Sequence, residues 1–155
     1  MKSISRLEKR AIEASAIVPV IRELSKILGE KEARALLRNI NKREAFERGR
    51  NVAQHTQGNS IEILAIDVAT WGEDGVCEMD VLEQTPATYF FNVTRCHYYE
   101  KYRELGLEEF GVELSCCRDE PFAQGLDPRL KLERTKTIMQ GGDICDFRYL
   151  LLSED

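Results

Sequence analysis

The spacing of apolar residues changes period once along this chain, and that change limits the folds open to it. In the first fifty residues apolar positions recur every three or four: Ala14, Val18, Ile21, Leu24 and Leu28, then Ala33, Leu36, Leu37, Ile40 and Phe46. Such spacing lines one face of a helix. The first run predicts a helix over residues 7 to about 28, with Pro19 as a candidate kink and Gly29 as its stop. The second predicts a helix from Glu30 to about Arg48. Residues 49–60 are polar, contain Gly58 and Asn59, and read as a loop or a frayed helix end.

Beyond residue 60 the pattern turns to β-branching and alternation. Ile61 to Val68 reads as a strand, Val76 to Gln84 as a second and Ala87 to Thr94 as a third. Short links carrying Gly72, Asp74-Gly75 and Pro86 predict an antiparallel meander. Helix returns at about His97 to Leu105, closed by Gly106, and a second short helix runs from about Leu107 to Cys117. Asp119 to Pro128 reads as irregular, with at most a turn of helix. Leu130 to Met139 and Cys145 to Leu152 flank Gly141-Gly142 and read as a hairpin. The order predicts an α+β fold with an antiparallel sheet of about five strands. A chain of 155 residues reads as a single domain over 1–155, helical in 1–60 and sheet-containing in 61–155.

Composition narrows the partners. The net charge is −5 and the basic residues are scattered among acids, which argues against nucleic acid. No apolar run approaches the roughly 20 residues of a membrane span. The opening Met1-Lys2-Ser3-Ile4-Ser5-Arg6, followed by charge, does not read as a signal peptide. Five cysteines, an odd number without a secretion signal, read as reduced thiols in a cytoplasm. A small molecule is the expected partner, and self-association stays open.

Chemistry concentrates in the last third, at Cys96, Cys116-Cys117-Arg118-Asp119, Arg134 to Thr137 and Gly141 to Tyr149. Burying such groups is costly unless they are paired or used. Cys116 and Asp119, three apart, share a helix face. They suit a nucleophile with its base, or two ligands of a metal. The blander alternative is a buried small side chain and a helix cap. Cys96 ends a strand and Cys145 begins one, so Cys96, Cys116 and Cys145 are expected to converge with Asp119 or Asp146. A divalent metal is a candidate cofactor, with Cys96, Cys116, Asp119 and Cys145 as its candidate ligands, although no CxxC pair is present. Cys77 and Cys117 read as bystanders. Arg134, Lys136 and Arg148 could anchor an acidic molecule, or form cross-strand salt bridges. Thr135 and Thr137 share a parity, from hydroxyl lining or from strand propensity. His55 reads as surface; His97 reads as pointing away from its neighbour Cys96 if the strand continues, while a helix starting there would leave a Cys-His dyad open. Trp71, Tyr98, Tyr99 and Tyr102 read as core and rim.

One ordered set of residues goes further. Thr94-Arg95-Cys96, Tyr102-Arg103-Glu104-Leu105-Gly106, Leu114-Ser115-Cys116 with Arg118-Asp119, Arg134-Thr135, Thr137-Ile138-Met139, Gly141 and Cys145-Asp146-Phe147-Arg148-Tyr149 follow one another over some sixty residues. This run resembles the L-2-amino-thiazoline-4-carboxylic acid hydrolase family. The resemblance implies a hydrolase that opens the ring of a 2-amino-thiazoline carboxylate to give a carbamoyl-cysteine. On that reading Cys116 is a nucleophile or a ligand, Asp119 a base or a ligand, and Cys96 and Cys145 complete the set. Arg134 or Arg148, with Thr135 and Thr137, would hold the substrate. The ending is also distantly similar to 4-vinyl reductase-type domains, which implies a rival: a small-molecule- or metal-binding sensor module without catalysis. A third option leaves the thiols inert and the domain mediating contacts only.

Overall fold

The computed structural model describes residues 3–153. Met1 and Lys2, the first two residues of the opening segment, and Glu154 and Asp155 lie outside the described residues. The chain folds as α+β, with an antiparallel sheet of four strands rather than five. α1 spans Arg6–Leu28, opened by a reciprocal capping box between Ser5 and Glu8, and runs unbroken through exposed Pro19. Ala14, Val18 and Ile21 are buried as the spacing predicts, whereas Leu28 is exposed.

α2 covers Glu30–His55, seven residues past the predicted end, so the polar stretch after Arg48 is helix and not loop. Leu36, Ile40 and Phe46, expected inward, are exposed; the buried line is Ala33, Leu37, Asn41, Ala45 and Gly49. α2 lies against α6 (Asp119–Leu126), a helix where the residue pattern carries little helical signal. The two helices meet at glycines: a Cβ on Gly49 would stand 2.1 Å from the Phe122 carbonyl oxygen, and one on Gly125 2.1 Å from that of Phe46. No side chain fits between backbones at that distance. Gly125→Ala is therefore expected to cost about 2 kcal/mol in a denaturant titration, as the helices are pushed apart.

Ile61 to Val68 is the clearest departure from expectation. It belongs to a helix, α3 (Ser60–Glu73), started by Asn59, whose side-chain oxygen accepts from the Ile61 and Glu62 amides. Its buried residues include Ile61, Leu64, Ala65 and Val68, which is helical spacing written in β-branched residues. The three-strand meander is thus two strands, β1 (Cys77–Gln84) and β2 (Thr88–Cys96), followed by α4 (His97–Leu105). The predicted helix over 107–117 is one turn, α5 (Gly111–Leu114), between two 3-10 turns.

The C-terminal hairpin is present as β3 (Leu130–Glu133) and β4 (Cys145–Leu151). β3 stops six residues short of the prediction, because Arg134 turns away and Thr137 caps a 3-10 turn over Ile138–Gln140. The strand order is β1-β2-β4-β3, all antiparallel. The inner face stacks Phe91 on Phe147 with ring centres 4.7 Å apart, and Trp71 of α3 meets Phe147 edge-on at 5.9 Å.

The corner between α6 and β3 is held by Asp127. It accepts from the Ser60 hydroxyl (2.6 Å), the Arg129 amide (2.9 Å) and the Arg129 guanidinium (2.8 Å). The Arg129 side chain, with these hydrogen bonds, holds the carboxyl at about 2, against an ordinary 3.8. A depressed carboxylate stabilises the fold above its unfolded value and loses that contribution as pH falls. Asp127→Asn is expected to lose about 2 kcal/mol at neutral pH, with the difference from the parent fading between about pH 4 and pH 2 in acid titrations.

Candidate functional site

A cavity of about 740 Å³ opens between the first turns of α1, the end of α3, the inner face of the sheet and the segment from Ser115 to Phe122. That volume suits a small molecule. Cys96, Cys116, Asp119 and Cys145 all line it. A bulge explains how Cys96 reaches it. Glu78 faces Arg95 while Met79 faces Val93, so Thr94 is an extra residue in β2. The extra residue reverses the parity of Arg95 and Cys96 and turns Cys96 to the side of Phe91 and Val93. Cys145 reaches the same face from β4, opposite Val93.

Arg134 also lines the cavity, but as a fixture. It donates to Asp119 Oδ2 at 2.6 Å and to the Cys116 carbonyl at 3.0 Å, and lies 4.8 Å over the Phe147 ring. The other expected substrate contacts fall elsewhere. Thr135 is exposed, its amide and hydroxyl both donating to Asp146. Thr137 is buried and bonded to Gln140. Arg148 stands on the outer face of β4, donating to the Phe91 and Phe147 carbonyls and to Asn92. Alternation along β4 sends Cys145 and Phe147 inward and Asp146 and Arg148 outward, so one strand cannot present both sets to one cavity.

Several cavity residues escaped the sequence. Cys77, read as a bystander, is in the wall. Arg6, Lys9 and Arg10 arrive from α1, and Arg48 from α2. With Arg118 and Arg134 they make six cations against three carboxylates, Glu73, Asp74 and Asp119, inside a chain of net charge −5. Most of these cations are paired: Arg6 with Asp74 at 3.1 Å, Arg10 with Glu13 at 2.7 Å, Arg48 with Asp67, Arg134 with Asp119. Arg118 makes no ion pair among the described residues. Its Nε donates to the Leu114 carbonyl at 3.0 Å and its Nη2 to Asn41 Oδ1 at 2.5 Å, leaving Nη1 without an acceptor among them. Burial, then the positive charge of Arg10, push this guanidinium below its usual range. A half-buried cation so placed has no anion partner among the described residues.

The thiols are neutral. Burial pushes Cys96 up to about 11 and Cys77 up to about 12. Burial and the Asp119 carboxylate push Cys116 well above the ordinary thiol range, and burial raises Cys145 as well. Asp119 is itself raised by burial, against the pull of Arg134. Among the described residues only its Oδ2 is bonded, leaving Oδ1 for the cavity. Among the described residues no group of three or more His, Cys, Asp or Glu side chains is arranged to hold a metal ion. Cys96, Cys116, Asp119 and Cys145 share the cavity without being arranged as a coordination set. His97 turns outward to Glu100 at 3.2 Å, and His55 is exposed. No helix among the described residues is long and apolar enough to cross a membrane.

Fold and cavity define an α+β domain with a cation-rich, thiol-lined chamber of small-molecule size. The chain belongs to the L-2-amino-thiazoline-4-carboxylic acid hydrolase family, whose model matches residues 9–149. That match takes in α1 and α2, beyond the C-terminal run in which the resemblance was legible. No curated protein matches the chain in sequence. Among solved structures it is similar to the phenol-responsive sensory domain of the transcription activator PoxR, determined with phenol. The TM-score is 0.56 at 14% identity, covering 92% of this chain and 74% of that one. At that identity the likeness concerns the fold.

Proposed function

We propose that the cavity binds a small cyclic carboxylate, of the 2-amino-thiazoline-4-carboxylate type, and hydrolyses it. The observation that carries this is Arg118 beside Asp119: a cavity cation with no carboxylate partner among the described residues, next to a carboxylate with one oxygen unused. A substrate with a carboxylate at one end and an amidine at the other is complementary to that pair. The carboxylate meets Arg118 as a charge-assisted hydrogen bond, and the amidine faces Asp119. Family membership supports the reaction class.

Asp119 is then the general base. Its Oδ1 takes a proton from water as the water oxygen bonds to the ring carbon between nitrogen and sulfur. The carbon–sulfur bond breaks, the electron pair leaves on sulfur, and the proton held by Asp119 passes to that sulfur; the remaining proton of the added hydroxyl moves to the former ring nitrogen as the carbonyl forms. The products of one water and one ring are a thiol and a urea, N-carbamoyl-cysteine. Arg134 holds Asp119 in place through Oδ2, and Phe147 and Trp71 wall the site against bulk water. The neutral state of Cys116 favours this route over attack by its sulfur, which needs the thiolate.

The test is direct, because ring opening frees a sulfhydryl. Purified protein incubated with 2-amino-thiazoline-4-carboxylate is expected to release one thiol per turnover. A second reading, a binding module without turnover, is favoured by the neutral thiols and the aromatic wall of Trp71 and Phe147. Saturable binding of the carboxylate without thiol release would establish that reading and end the hydrolase one.

A further inference from the structure

We propose that Cys77 and Cys96 form a reversible disulfide across β1 and β2, a modification site in the cavity wall. The argument is one of register. Cys77 and Cys96 are directly opposite one another in the antiparallel pair. The His97 amide donates to the Val76 carbonyl at 2.9 Å, so the ladder bonds flank the two cysteines instead of joining them. Opposed residues at such a non-hydrogen-bonded position have Cα atoms about 4.5 Å apart and side chains on the same face. That separation falls within the range a disulfide spans, roughly 4.4–6.8 Å. All five cysteines are free, and both members of this pair line the cavity. Cys145 and Cys116 share the cavity, but Cys145 lies opposite Val93 and accepts from the Ile138 amide at 3.2 Å, and Cys116 is on a 3-10 turn, with no strand register to set it opposite Cys96.

The oxidant is a small disulfide. Cys96 is the more exposed of the two, so it attacks first. Its thiolate bonds to one sulfur of the reagent and expels the other as a thiolate, leaving a mixed disulfide. Cys77 loses its proton and attacks that Cys96 sulfur, expelling the second half of the reagent. Two protein thiols give up two electrons and two protons, and one disulfide becomes two thiols. The same Cys96 Sγ accepts from the Tyr99 amide at the start of α4, so the bond would tie β1 to the cap of that helix as well as to β2.

Oxidised glutathione at mildly alkaline pH is the probe. The full-length protein is incubated with it, quenched with an alkylating agent, denatured and digested with trypsin. Arg95 separates the two cysteines, so the bond joins the peptide of residues 51–95 to that of 96–101. The expected result is that linked pair, a fall from five titratable thiols to three, and full recovery with dithiothreitol. In Cys77→Ala, Cys96 is expected to stop at the glutathione adduct. Five surviving thiols, a glutathione adduct alone on wild-type Cys96, or a bond from Cys96 to Cys116 or Cys145 would each overturn the proposal. Ring hydrolysis plays no part in the readout, so this result stands or falls apart from the proposed function.

Discussion

Asp119→Asn is expected to lower kcat for ring opening of 2-amino-thiazoline-4-carboxylate by about 10³-fold, within the range general-base removal costs. Asparagine keeps an oxygen for Arg134 and nearly the same volume, so affinity for the carboxylate should change little. The pH profile supplies an independent sign. A base works only when ionised, and burial raises Asp119 above the ordinary carboxylate range. The acid limb of kcat should therefore sit higher than for an exposed aspartate, with activity lost as pH falls through it. Above that limb the rate should level off. Attack by Cys116 predicts the opposite, a rate still climbing through alkaline pH, because its thiol ionises late. Cys116→Ser separates the two in one measurement: retained activity fits the water route, and abolished activity with intact binding fits the thiolate.

Asn41→Asp is expected to weaken binding of a small carboxylate about a hundredfold, the scale of a lost partly buried charge pair. Asn41 is buried on α2, its Nδ2 donating to the Glu113 carbonyl at 2.7 Å and its Oδ1 accepting from Arg118 at 2.5 Å. The neutral amide orients Arg118 without neutralising it. An aspartate there would supply Arg118 with an anion from within. Calorimetric titration with thiazolidine-4-carboxylate, which has no amidine to hydrolyse, reads the effect; Arg118→Gln should weaken the same binding to a similar degree. Unchanged affinity in both variants would place the carboxylate away from Arg118.

Much of the sheet was legible because half-buried strands alternate: β1, β2 and β4 lie close to where the pattern puts them. α3 was not, because its burial is set by helical spacing while its Ile and Val residues carry strand propensity, and packing against Phe91 and Phe147 decided the matter. α6 was hidden because its glycine serves helix contact and not a turn. The shared cavity of Cys96, Cys116, Asp119 and Cys145 could be expected from element ends, since strand termini and the loops after them gather at one edge. The cations of α1 and α2 could not, being far away in sequence from the thiols they face. Arg118 stood in plain sight beside Asp119. Nothing in one sequence says that its partner is an asparagine, with no carboxylate paired to it among the described residues.

The most direct test of the central claim is a crystal structure of the Asp119→Asn variant soaked with 2-amino-thiazoline-4-carboxylate. The account predicts an intact ring inside the cavity, its carboxylate on the guanidinium of Arg118 and its amidine carbon facing residue 119. A ring whose carboxylate sits on another cation, or a cavity without ligand under conditions where calorimetry shows saturation, would contradict it.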